Sequence, residues 1–242
     1  MILKVVEAIA TGRTAFTLTV SPPGISHLRG LQTKLLKPSW ANNKLHGNRK
    51  TWRAGAFKGL PLYSLTLEER ATCPDGCPVW DYCYGNNMPF ATRFDVMADG
   101  GEELMRLLSD ELDGLDKKHP DGYSLRLHIL GDFFSVEYVS FWLAQLAWRP
   151  GLHIFGYTHR DPVSDPVGEA IEAGFLEHGH RFNILQSEGL RATTVRPVAL
   201  QATTEGAADL PICPAETGKV AGCLDCGLCT LPYVKGVRFL RH

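Results

Sequence analysis

SLRLHILGDFFSVEYVSFWLAQLAWRPGLHIFGYT, residues 124–158, decides the fold. Leu125, Leu127 and Ile129 recur at every second position, the pattern of a strand over 124–130. Gly131-Asp132 follows as a turn. Ser135 carries the side-chain oxygen that caps a helix N-terminus, and the helix it opens covers 136–148. Val136, Val139, Phe141, Trp142, Leu143 and Leu146 leave that helix apolar on most sides, so it belongs in the interior. LHIFGYT, 152–158, is a second strand. A strand, a helix and a strand in this order pair their strands in parallel, because a crossover must return the chain to the same end.

The pattern extends both ways. Residues 101–118 carry Leu104, Leu107, Leu108, Leu112 and Leu115 at helical spacing, with an acidic opposite face. Ser164 and Pro166 open a short helix, PVGEAIEAGF, since proline suits the first turn. RFNIL (181–185) and TTVRPVAL (193–200) read as further strands. Near the start, TAFTLTV (14–20) reads as a strand ended by the Ser21-Pro22-Pro23-Gly24 turn. Residues 38–62, rich in Asn, Gly, Lys and Pro, read as an extended loop of functional or mobile kind. A complete eight-unit barrel needs about 250 residues. The expectation is therefore α/β, a partial or irregular (β/α) barrel with parallel strands and cysteine-rich metal-binding loops. It forms one domain over 1–242, with a basic segment 1–67, a core 68–200 and a cysteine-rich segment 201–242.

No apolar run approaches the roughly 20 residues of a membrane span, so no membrane partner is expected. MILKVVEAIATGR lacks the apolar core of a signal peptide, which points to the cytoplasm. Thiols stay reduced there, and an odd count of seven cysteines favours metal over disulfides. Charge is asymmetric. No acidic residue lies between Glu7 and Glu68, while from Glu68 onward 25 acids face 15 Lys and Arg. Lys44, Arg49, Lys50, Arg53 and Lys58 lie among Trp40, Trp52, Phe57 and Tyr63, a mixture suited to phosphates and stacked bases. The other reading is a solvated basic face.

The cysteines fall into two groups. Cys213, Cys223, Cys226 and Cys229, in CPAETGKVAGCLDCGLC, combine a C-x2-C-x2-C run with a remote Cys-Pro. That combination echoes the ferredoxin arrangement for a [4Fe–4S] cluster, with the remote cysteine before the run instead of after it. Gly222 and Gly227 let backbone N–H groups approach the sulfurs. A four-cysteine zinc site is the alternative, although zinc usually takes two C-x2-4-C pairs. Cys73, Cys77 and Cys83, in CPDGCPVWDYCY, offer three thiolates and leave one position for a substrate, a cofactor, or a ligand such as Asp81 or His128. One or two clusters are thus expected.

The three-cysteine group resembles that of radical S-adenosylmethionine (SAM) enzymes, whose usual spacing is C-x3-C-x2-C. The first gap of three and Tyr82 before Cys83 match, and the last gap of five departs from the pattern. Taken with LHILGDFFSVEY and the C-terminal run, the chain resembles the phage- and plasmid-encoded gene product 88 family over most of 50–242. The resemblance implies an iron–sulfur protein with a radical-SAM-like barrel, a mobile-element origin and the host cytoplasm. It implies no established reaction.

Ligands gather at the C-terminal ends of parallel strands. That marks Gly131, Asp132, Tyr157, His159, Arg160, Gln186 and Ser187, beside His128. Gly131-Asp132 and Tyr157 are the candidates to contact SAM, and Arg160 to grip a carboxylate or phosphate. The opposing readings are a capping Asp132 and an Arg160 paired with Asp161 or Asp165. His178 and His180 read as a polar loop. The expected function is an iron–sulfur protein, a radical-SAM-like enzyme acting on a nucleic acid or nucleotide. The alternatives are a non-catalytic iron–sulfur or zinc protein that binds nucleic acid, and an electron-transfer or redox-sensing protein.

Overall fold

The strand–helix–strand unit at 124–158 is present and sits at the centre of a larger sheet. The computed structural model describes residues 27–28, 34–42, 45, 49–77, 80, 83, 85, 88, 93–94, 96, 100–187, 210–232, 234 and 236–239. Its strands are β1 (His27–Leu28), β2 (Lys37–Pro38), β3 (Leu62–Ser64), β4 (Arg93–Phe94), β5 (Tyr123–Leu127), β6 (Leu152–Thr158) and β7 (Phe182–Gln186). Its helices are α1 (Glu69–Thr72), α2 (Glu102–Lys118), α3 (Val136–Trp148), α4 (Pro166–His178) and α5 (Cys223–Cys226). The expected strands at 14–20 and 193–200 lie outside the described residues.

The main sheet has the order β2-β3-β5-β6-β7. β2 is antiparallel to β3, and every other pair is parallel. The parallel strands follow one another in chain order, each step made by a helix. Among the described strands the sheet does not close. β1 and β4 form a separate parallel pair.

Helices α2, α3 and α4 bury their apolar sides in one core. Leu104, Leu108, Tyr138, Val139, Trp142 and Ile171 meet Tyr63, Leu125, Ile154 and Phe182 there. Those four strand residues form one cross-strand row. Ser135 caps α3 through the Tyr138 N–H, as expected. In α4 the cap is Asp165, which accepts from the Val167 N–H, while Ser164 bonds Asp161 instead. Each fully buried large side chain in this core contributes about 2–3 kcal/mol of hydrophobic stabilisation.

The opposite face carries a second core. Leu62 and Phe155 from the strands pack with Leu45, Trp52, Phe57, Ile129, Leu130 and Leu224. The ladder of β5 therefore stops at Leu127, short of the expected 130. Ile129 leaves it to bond Leu65 O (2.8 Å) and join this second core.

Residues 49–60 are the main departure from the sequence expectation. They form a belt held down by two large apolar side chains. Trp52 and Phe57 are buried, and the Trp52 indole N–H donates to Ser124 Oγ (2.8 Å). The belt meets the C-terminal cysteine run through its backbone N–H groups. Arg53 N–H donates to Leu224 O (2.8 Å), and Ala56 N–H to Thr230 Oγ1 (2.9 Å). Arg49 pairs with Asp225, between two of the cysteines. Both segments thus cover the sheet face opposite α2, α3 and α4. Trp52, Phe57 and Tyr63, expected as base-stacking platforms, are buried because the apolar interior claims them. Of the four aromatics, Trp40 alone is largely exposed.

Candidate metal centres

The first thiol group follows β3. Leu67 N–H bonds Leu130 O (3.0 Å), the chain turns through α1, and Cys73 caps that helix. Successive turns then carry Cys77 and Trp80. Arg70 ties the turns back. Its Nη1 donates to Trp80 O (3.0 Å), and its guanidinium lies 4.4 Å from the Trp80 ring centroid, a cation–π contact. Gly85 N–H donates to Cys83 Sγ (3.4 Å). Burial pushes the Cys73 thiol well above its usual range, and the charges of Asp132, Cys77, Cys83 and Glu69 push it further.

Gly131 and Asp132 lie against α1, directly beside this group. Gly131 has φ +85°, and a Cβ there would fall 2.6 Å from Thr72 Oγ1 and 2.8 Å from Leu67 Cβ. Only glycine permits that approach. Asp132 N–H then donates to Thr72 Oγ1 (3.1 Å). The Asp132 carboxylate accepts from Thr158 Oγ1 (2.7 Å), Phe133 N–H (2.7 Å) and His159 N–H (2.8 Å). Burial nevertheless pushes its pKa up to about 6, against those bonds and Arg160. Arg160 spends its fork internally as well. Nε donates to Phe133 O (2.8 Å), Nη1 to Asp165 (3.1 Å) and Nη2 to Thr72 O (3.0 Å). Asp132 and Arg160 therefore grip Thr72, the residue before Cys73. Arg160 follows the end of β6 and Asp132 lies beyond the end of β5, and their hold on the cysteine loop was not legible from spacing.

His128 turns away from the thiols. Its ring packs on Phe133 and Tyr138, with Nε2 3.1 Å from the Tyr138 hydroxyl. Asp81 lies outside the described residues. His178 ends α4, and the His180 ring lies tilted near His153, 6.2 Å between centroids. Gln186 ends β7, and Ser187 N–H donates to Thr158 O (2.6 Å).

The second thiol group rests on the sheet face opposite the helices. α5 is a single turn carrying Cys223 and Cys226, Gly227 reverses the chain at φ +67°, and a 3-10 turn carries Cys229. Cys213 is buried, and its N–H donates to Arg238 O (2.7 Å). Burial pushes the Cys229 thiol up to about 12, opposed by a hydrogen bond with Tyr157, while the charges of Cys223 and Cys213 add to the rise. Cys226 is also raised by burial, opposed by the Leu228 N–H. Tyr157, expected at the strand mouth, instead sits within β6 beside Cys229.

All seven cysteines are free thiols. Among the described residues no group of three or more His, Cys, Asp or Glu side chains is arranged to hold a single metal ion. Thiols are the donors that iron–sulfur clusters take. Burial disfavours the ionised form of Cys73 in the first group and of Cys226 and Cys229 in the second, a balance that a bound cation reverses. The Gly85 N–H donates to the Cys83 sulfur, the kind of outer-shell contact that tunes thiolate-held centres. No helix among the described residues is long and apolar enough to cross a membrane. Compared with protein-family models, curated proteins and solved structures, the chain matches none.

Proposed function

We propose that this chain is an iron–sulfur protein of phage or mobile-element type, working in the host cytoplasm, with a radical-SAM-like catalytic centre. Cys213, Cys223, Cys226 and Cys229 would close one [4Fe–4S] cluster. Cys73, Cys77 and Cys83 would hold a second with one open position for SAM. The observation that carries this reading is the order of parts. The three-cysteine loop follows β3, the first strand of the parallel run, and Gly131-Asp132 follows β5, the next. A centre held by these cysteines would supply one electron to SAM. Asp132 and Arg160 serve by fixing Thr72, and hence Cys73, against the strand ends.

The substrate proposed is a nucleic acid or nucleotide, met by the exposed side chains of Lys50, Arg53 and Lys58. Arg49 is less available, being paired with Asp225. Anaerobically reconstituted protein, reduced with dithionite and given SAM, should release 5′-deoxyadenosine. No release, together with no SAM-induced change in the EPR spectrum, refutes the catalytic reading. A second reading keeps the metals as staples of a non-catalytic nucleic-acid-binding protein, and the internal use of Asp132 and Arg160 favours it.

Charge reversal of Lys50, Arg53 and Lys58 tests the nucleic-acid contact shared by both readings. The slope of log K against log salt should become shallower by roughly 3 for duplex DNA. An unchanged slope and affinity refute the contact.

A further inference from the structure

The belt carries cations and no acid. Arg49, Lys50, Arg53 and Lys58 are all exposed along it, and no acidic residue lies between Glu7 and Glu68. Among the described residues Lys50, Arg53 and Lys58 enter no ion pair, whereas Arg49 does. Its Nε donates to the carboxylate of Asp225, which stands in the cysteine run between Cys223 and Cys226. The Arg49 side chain is 41% exposed and that of Asp225 only 10%. The belt backbone beside them is pinned. Trp52 is buried with its indole N–H on Ser124 Oγ (2.8 Å), and Arg53 N–H donates to Leu224 O (2.8 Å). The half-exposed Arg49 side chain can therefore change partner while the belt stays in place. A guanidinium fork suits a phosphate as well as a carboxylate, so a phosphate oxygen is the natural competitor of Asp225.

We propose that Asp225 masks Arg49, the fourth cation of a phosphate-binding face formed with Lys50, Arg53 and Lys58, so that the cysteine run and a nucleic-acid backbone compete for one guanidinium. The proposal rests on the nucleic-acid reading above. A phosphate that takes Arg49 must leave the Asp225 carboxylate unpaired and close to the incoming anion. The wild-type chain therefore meets duplex DNA through the three unpaired cations, and removing the Asp225 charge supplies the fourth. The coupling is mutual. Nucleic acid that captures Arg49 uncovers Asp225 on α5, and whatever draws Asp225 away from Arg49 strengthens nucleic-acid binding.

The test is duplex DNA binding by the full chain across a range of salt concentrations, in wild type, Asp225→Asn, Arg49→Gln and the double variant. Each cation brought onto a phosphate adds about 0.9 to the slope of log K against log salt. Asp225→Asn should bind more tightly and steepen the slope by about 0.9, and the double variant should return it to the wild-type value. Arg49→Gln alone should leave the slope in place, because its cation is already spent on Asp225. Asp225→Ser takes the place of Asp225→Asn if the latter does not fold. An unchanged slope in the folded Asp225 variant, or a slope that stays steep in the double variant, overturns this proposal alone. So does a slope shallower by about 0.9 in Arg49→Gln, which would put Arg49 on the DNA already. Wild-type protein that binds no duplex DNA at low salt overturns the nucleic-acid reading and this proposal with it.

Discussion

Gly227→Ala tests the docking of the belt on the cysteine run. Gly227 has φ +67°, where an alanine costs about 1–2 kcal/mol. Its Cβ would also fall 2.3 Å from Ala54 O and 2.7 Å from Gly55 N. Those are backbone atoms with no rotamer to yield, so the two segments must part. Parting them strains the Arg53–Leu224 and Ala56–Thr230 hydrogen bonds, about 1 kcal/mol each. The expected loss is roughly 3–4 kcal/mol. Gly59→Ala is the matched control. Gly59 has φ +91° with nothing within 4 Å of its would-be Cβ, so it should show the conformational cost alone. Urea unfolding followed by tryptophan fluorescence reads both. With a slope of about 3 kcal/mol/M, the midpoint should fall by about 1 M for Gly227→Ala and about 0.5 M for Gly59→Ala. Equal shifts would refute the backbone contact and the covering of the sheet that depends on it.

Further outcomes follow from the same contacts. Arg160→Gln leaves Thr72 O, Phe133 O and Asp165 short of their donor, so stability should drop by about 2–3 kcal/mol and iron should be lost first from the Cys73 group; iron retained in full by a folded variant contradicts the positioning role. Burial holds His128 neutral, with its pKa down to about 3 against 6.5 when unfolded. The unfolded chain therefore binds the extra proton, and this contribution to stability is lost as pH falls from 6.5 toward 3. His128→Gln should flatten the acid limb between pH 6 and 4 by up to about 1.4 kcal/mol per pH unit, and an unchanged limb in urea titrations rejects the assignment. Trp52→Ala should cost about 3–5 kcal/mol as a core truncation, whereas Trp40→Ala should change stability by no more than about 0.5 kcal/mol. Comparable thermal shifts for the two would deny their different burial.

The parallel core was legible because its signals are local. Ser135, the apolar side chains of α3 and the alternation in β6 mark each boundary within a few residues of themselves. β3 was missed because three residues, Leu62–Ser64, give too short an alternation to register, although the strand opens the parallel run. The belt at 49–60 was read as a loop for a related reason. Trp52 and Phe57 are far apart from their partners in sequence, and basic neighbours made them resemble a nucleic-acid platform. Packing against Phe155 and Leu224 decides their fate, and no spacing rule encodes that contact. The cysteines were found by spacing. The hydrogen bond of Asn183 to the Cys229 carbonyl was not, since strand register brings Asn183 there.

Iron and acid-labile sulfide per chain, measured in anaerobically prepared protein, test the central claim most directly. Two [4Fe–4S] clusters predict about eight of each, falling to about four in Cys73→Ser and, separately, in Cys226→Ser. Stoichiometric zinc without sulfide, or no metal at all, would contradict the account.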